Sequence, residues 1–197
     1  INRMIPVLTI NKLETALPLC TALIKGGLNV IEITLRTKLT LDSVEILSKE
    51  FPEVRIGVGT LLDPQDLNRA KNSGACFAVS PGLNMDLVRQ AETVGLAYLP
   101  GIQTSSEAMT AYRNGLRALK FFPAKAAGGI YGLQQLRPLY PGLKFCPTGG
   151  IGFSDATEYL KEENVACIGG SFASPSNLIE EQNWKEITKL AIKAAAL

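Results

Sequence analysis

The chain has 197 residues, 46% apolar and 19% charged, enough for one substantial core and short for two. A net charge of +2 gives neither a nucleic acid nor an anionic membrane a counter-surface, and no apolar run approaches the ~18 residues of a membrane span. There is no histidine, which excludes Ser-His-Asp and Cys-His nucleophile machinery within one chain and argues against zinc or non-haem iron, leaving Lys, Glu, Asp, Arg, Tyr, Thr and Ser for any chemistry.

In chain order the pattern opens with a strand, "MIPVLTI" (4–10), and an amphipathic helix over 13–25 closed by Gly26. The strand "NVIEITL" (29–35) follows, with the carboxylate of Glu32 between Ile31 and Ile33, and then a helix over 41–49. Next come "VRIGVGT" (54–60) and a helix over 64–72, where Asp63-Pro64 sets a capping acid before a first-turn proline and Gly74 closes the element. "CFAVS" (76–80) precedes a helix over 86–94 closed by Gly95, and "LAYLP" (96–100) precedes a helix over 106–114 closed by Gly115. "ALKFF" (118–122), "LKFCP" (143–147), a helix over 154–161 and "VACIG" (165–169) complete the series. Cys20, Cys76, Cys146 and Cys167 are widely spaced and form no C-x-x-C pair; Cys146 and Cys167, in strand-like runs, read as buried reduced thiols, and a cytoplasmic protein is expected.

Eight strands alternating with helices, with no linker or low-complexity tract, predict a single-domain eight-stranded (β/α)8 TIM barrel over 1–197. A doubly wound sheet is the poorer fit, because no dinucleotide fingerprint follows the first strand. In a barrel, function collects where strands run into their C-terminal loops, and here those ends carry polar residues and glycines. "TGGIG" (148–152) and "IGGS" (168–171) follow the last two strands, as loops that offer backbone N–H groups to a phosphate do, although glycines also simply turn a chain.

Strand alternation sets Ala118, Lys120 and Phe122 on one face and Leu119 and Phe121 on the other. Lys120 either points outward with its ammonium in solvent, or points inward, where desolvation favours a neutral amine able to attack a ketone and form an iminium ion. Glu32, Thr34 and Arg36 share a face. Glu32 is either half of a buried ion pair with Arg36 or Lys120, or a proton shuttle beside the iminium, with Arg36 gripping a carboxylate through its two-pronged guanidinium.

The strings "EITLRT", "GVGT", "SPG", "PGI", "KFFPA", "PTGGI" and "IGGS", in this order along nearly the whole chain, resemble the class I aldolase family that cleaves 2-keto-3-deoxy-6-phosphogluconate (KDPG), including its bifunctional 4-hydroxy-2-oxoglutarate form. The resemblance implies a homotrimeric barrel that splits KDPG into pyruvate and glyceraldehyde 3-phosphate in the Entner–Doudoroff pathway, with a covalent Schiff base and no metal or other cofactor. It makes Lys120 the Schiff-base lysine and Glu32 the acid/base. Arg36 and Thr60 would hold the pyruvate carboxylate, and Thr148 would sit near the reacting carbonyl. Gly149, Gly150, Gly170 and Ser171 would take the phosphate, and Pro81 and Phe122 would shape the pocket wall.

Where relatives of that family commonly read "FFPAE", this chain has "FFPAK"; Lys125 replaces an acid and reads as a solvated loop lysine. The chain also opens at its first strand, whereas relatives carry a helix ahead of it. Three other readings compete. An aldolase for the galactonate epimer differs by one hydroxyl configuration. A phosphate-binding barrel such as a thiamin phosphate synthase gives no reason for a strand lysine beside a strand glutamate. A barrel that only binds is opposed by the intact Lys120, Glu32 and Arg36 set.

Overall fold

Strands and helices alternate, apart from one pair of successive strands and one pair of successive helices, along residues 2–197 of the computed structural model, which are the residues described. They run β1 (Met4–Leu8), a 3-10 turn (Leu13–Thr15), α1 (Ala16–Lys25), β2 (Val30–Thr34), α2 (Thr40–Glu50), β3 (Arg55–Gly59), α3 (Pro64–Asn72), β4 (Phe77–Val79) and α4 (Met85–Val94). The second half holds β5 (Ala97–Leu99), β6 (Gly101–Ile102), α5 (Ser105–Arg113), β7 (Ala118–Phe121), α6 (Gly129–Leu136), β8 (Lys144–Pro147), α7 (Ala156–Lys161), β9 (Ile168–Gly170), α8 (Ser176–Glu180) and α9 (Trp184–Ala195).

The expected closed eight-stranded TIM barrel is corrected by the hydrogen bonding. The strands divide into a six-stranded parallel sheet, ordered β5-β4-β3-β2-β1-β9, and a three-stranded one, β6-β7-β8. Both seams have a physical cause. The segment read as one strand over 96–100 breaks at Pro100, which has no N–H to give to a ladder. Before it, Leu99 pairs with Val79 of β4; after it, Gly101 pairs with Lys120 of β7, so the chain changes partners there. At the other seam only isolated bridges, Phe145↔Val165 and Thr148↔Gly169, join β8 to the segment leading into β9. Between them one side advances from 145 to 148 and the other from 165 to 169, so an extra residue breaks the register.

Within each sheet the strands are parallel, which brings their C-terminal ends to one side. Buried side chains from both sheets and the helices join in one apolar cluster reaching from Met4 to Ala194. α3 starts as the sequence dictates, with Asp63 accepting from the Gln65 N–H and Pro64 at the first helical position. Gly74, Gly95 and Gly115 adopt the left-handed conformation after their helices, but behind α1 that role falls to Gly27 rather than Gly26. No helix among the described residues is long and apolar enough to cross a membrane.

Candidate active site

Lys120 lies on β7 between Leu119 and Phe121, which face the core, and points the other way, into a cavity of about 790 Å³ at the C-terminal ends of the strands. Glu32 enters the same cavity from β2, and its Oε1 accepts a hydrogen bond from Lys120 Nζ at 3.2 Å. The two residues are 5% and 4% exposed. A buried ammonium–carboxylate pair stabilises a fold little, because desolvation of both charges cancels most of their attraction. Its position at the floor of an open cavity fits chemistry better than architecture.

Two strand glycines make space for this arrangement. A Cβ on Gly59 would overlap the Glu32 carboxylate, and one on Gly169 would overlap the Thr148 hydroxyl. Neither position was singled out in the sequence. Beyond Gly59, Thr60 holds φ at +66°, a left-handed backbone that a β-branched residue adopts only under strain of roughly 1–3 kcal/mol. Thr60 lines the cavity together with Arg36, after β2, and Pro81, after β4. Glu32 pairs with Lys120 and not with Arg36, which leaves the guanidinium available to an anion.

Phe122 forms a wall beside the lysine, its ring centroid 5.2 Å from Nζ. Thr148 sits at the end of β8, its hydroxyl 3.4 Å from the Cys146 carbonyl. Gly149 and Gly150, at φ +102° and +80°, turn the chain so that the loop faces the cavity, and Gly170 and Ser171 line it from the end of β9. Among the described residues the Gly149, Gly150 and Ile151 amides meet no backbone acceptor. All eleven residues expected at the site therefore border one cavity.

Lys125 lies outside that lining, largely exposed, its ammonium 3.2 Å from Asp155 Oδ2. Asp155 Oδ1 in turn accepts the Gly152 N–H at 2.7 Å, and the Lys125 stem packs where a Gly150 side chain would be. The lysine that replaces an acid thus props the glycine loop from outside.

Sequence reasoning missed Lys12, Thr9 and Ser174, which also border the cavity. The Ser174 hydroxyl is buried without a hydrogen-bond partner among the described residues. Each is a polar residue in a loop, where nothing local tells a site residue from a solvated one. Beside Lys120, its register partner Cys146 has a thiol pushed well up by its hydrogen bond to Cys167, by burial and by the charges of Cys167 and Glu32, with Lys120 opposing. Cys167 is lowered by that same hydrogen bond and by Arg3, against burial. No group of three or more His, Cys, Asp or Glu side chains among the described residues is placed to hold a metal ion.

A model of the KDPG and KHG aldolase family matches residues 1–190. The chain belongs to this family. It is 42% identical over 191 residues to the KHG/KDPG aldolase of Escherichia coli K12, covering 97% of this chain and 90% of that one. Among solved structures of the family it resembles a Legionella pneumophila KDPG aldolase with pyruvate captured at low pH as a covalent carbinolamine, at TM-score 0.96 and 41% identity, covering 98% and 94% of the two chains. A Zymomonas mobilis aldolase of the same family with 3-phosphoglycerate gives TM-score 0.94 and 38% identity, covering 99% and 91%.

Proposed function

We propose that this protein is a class I aldolase, a carbon–carbon lyase. It cleaves KDPG to pyruvate and D-glyceraldehyde 3-phosphate, and 4-hydroxy-2-oxoglutarate to pyruvate and glyoxylate. The observation that carries the reading is the buried Lys120–Glu32 pair, 3.2 Å apart at the floor of the cavity. Membership of the family and the carbinolamine in the Legionella relative support it.

Glu32 is within reach of the Lys120 ammonium and takes its proton, leaving an amine that attacks the C2 ketone. The carbinolamine oxygen leaves as water after receiving a proton, with Glu32 as the relay, and an iminium ion remains on Lys120. Glu32, now a carboxylate again, removes the proton of the C4 hydroxyl. That oxygen forms the aldehyde carbonyl while the C3–C4 bond breaks, and its electron pair moves onto the iminium nitrogen as an enamine. Protonation of the enamine at C3 through Glu32 regenerates an iminium, and water releases pyruvate. The nitrogen is the electron sink, so the scheme calls for no cofactor.

Arg36 holds the C1 carboxylate with two parallel hydrogen bonds, helped by Thr60, and Thr148 borders the reacting carbonyl. Pro81 and Phe122 wall the pyruvate end. The Gly149, Gly150, Gly170 and Ser171 donors take the distal phosphate. The reading extends to one domain over 1–197, a homotrimer and a cytoplasmic role in the Entner–Doudoroff pathway.

Incubation with pyruvate and borohydride, followed by intact-mass and peptide analysis, tests the central claim. One reduced three-carbon adduct is expected, on Lys120, and Lys120→Met removes it while the chain still folds, since the change opens no large cavity. An adduct on Lys125 alone, or none, overturns the assignment.

A further inference from the structure

Three cations border the cavity: Lys120, Arg36 and Lys12. Lys120 is paired with Glu32, and Arg36 stands at the end proposed for the substrate's own carboxylate. Lys12 has neither a partner nor a task; among the described residues it joins no ion pair. Its backbone is nevertheless fixed, because its carbonyl accepts both the N–H and the hydroxyl of Thr15, at 3.1 and 2.7 Å. The loop that carries it follows β1, and β1 is paired with β9 through Pro6↔Gly170, next to the glycine loop proposed for phosphate. An exposed, tethered lysine thus shares the cavity with donors that are otherwise neutral: backbone amides and the Ser171 hydroxyl. The other acid bordering the cavity besides Glu32, Glu180 on α8, forms no ion pair with it among the described residues.

We infer that Lys12 is the cation that receives the distal anion of the substrate, and that it serves the phosphate of KDPG and the carboxylate of 4-hydroxy-2-oxoglutarate alike. The inference deepens the function proposed above and rests on it. With C2 tethered to Lys120 and C1 held by Arg36, the two substrates end at different depths: the shorter one in the carboxylate that is C5 itself, the longer in a phosphate on the C6 oxygen. Backbone amides are fixed in space and suit one of these positions. An ammonium on a flexible four-carbon stem follows the charge to either by changing rotamer. A neutral glycine loop would select for length; the lysine relaxes that selection by recognising charge alone.

Steady-state kinetics of K12M and K12R, with KDPG and with 4-hydroxy-2-oxoglutarate at two ionic strengths, test this. For K12M, kcat/KM should fall about ten-fold for both substrates, a loss typical of one partly exposed charge-assisted contact, and its salt dependence should flatten. K12R should recover most of the activity. Borohydride trapping of pyruvate should be unaffected in K12M, because pyruvate has no distal anion. A loss confined to one substrate, values within two-fold of the parent, or an equal loss of pyruvate trapping each overturns the role of Lys12. Failure of the parent enzyme itself to trap pyruvate or cleave KDPG would instead strike the aldolase reading, so the two failures are separable.

Discussion

Glu32 keeps its carboxylate over Gly59 and against Lys120, and each neighbour constrains it differently. Glu32→Gln keeps the shape and a hydrogen bond to Nζ but cannot accept a proton. The turnover number for KDPG should fall by about 10² to 10⁴, the range for losing an acid/base group, with pyruvate adduct formation reduced less if water relays protons. An unchanged turnover number would leave Glu32 as a structural ion-pair partner. Gly59→Ala probes the same group from behind. Its Cβ would occupy the space of the carboxylate, so the side chain must swing away from Lys120. Overpacking of this kind costs about 1–3 kcal/mol. We expect a lower melting temperature together with a turnover number that falls toward that of Glu32→Gln; full activity would show that Glu32 has a second competent position.

At the scale of elements, the start of α5 carries a pH signature. Thr104 caps the helix, and Glu107 reaches back to the N–H groups of Gln103 and Thr104 at 2.9 and 2.8 Å. Partial burial pushes the Glu107 carboxyl up, but those two N–H groups and the Thr104 hydroxyl outweigh it and hold it below its usual value. A carboxyl depressed in the folded state stabilises the fold above its unfolded pKa, about 4.3, and loses that stabilisation as pH falls through the folded value. Glu107→Gln should therefore cost roughly 0.5–1 kcal/mol at pH 7, the low part of the capping range because solvent screens the site, and the gap should narrow at pH 3. Urea unfolding at the two pH values measures it; a gap constant with pH would mean that hydrogen bonding without charge accounts for the cap. The glycine loops need a more selective probe. A Cβ on Gly170 meets the Phe172 ring at 2.8 Å, and that ring packs edge-on to Phe153 at 4.7 Å, so substitution there disturbs an aromatic pair before it reaches a ligand. Gly150 is no cleaner, because its left-handed backbone strains any side chain and a Cβ there would meet the Lys125 stem at 2.9 Å; Ser171, a side-chain donor bordering the cavity, is the position to alter.

At the scale of the whole molecule, the proposed site joins a carboxylate grip after β2 and β3, a nucleophile on β7 and anion donors after β8 and β9. Binding energy from the distal anion can then orient the carbon that reacts, so a substrate lacking it loses turnover as well as affinity. The unphosphorylated keto-acid should be cleaved with kcat/KM lower by about 10² or more, equivalent to roughly 3 kcal/mol. Equal rates would mean that the glycines only turn the chain. Sedimentation equilibrium at micromolar protein should return three protomer masses; a single mass would remove the homotrimer from the reading.

The sequence by itself determined where the strands lie and which residues break their apolar pattern, because side-chain alternation and turn chemistry are local. A lysine at 120 and a glutamate at 32 stand out in strands whatever surrounds them, and Asp63-Pro64 starts a helix without help. α6 escaped notice because it begins at Gly128 and Gly129, both left-handed, which read as loop. Only the tertiary structure decided that Lys120 and Glu32, 88 residues apart, are partners, and that Arg36 is not. It alone placed Gly59 and Gly169 behind the working side chains, brought Lys12 to the rim, and turned Pro100 from the end of one strand into the seam between two sheets. The physical reason is common to all four. Which backbone or side chain stands opposite a residue depends on register between strands distant in sequence, and no local pattern of residues records that register.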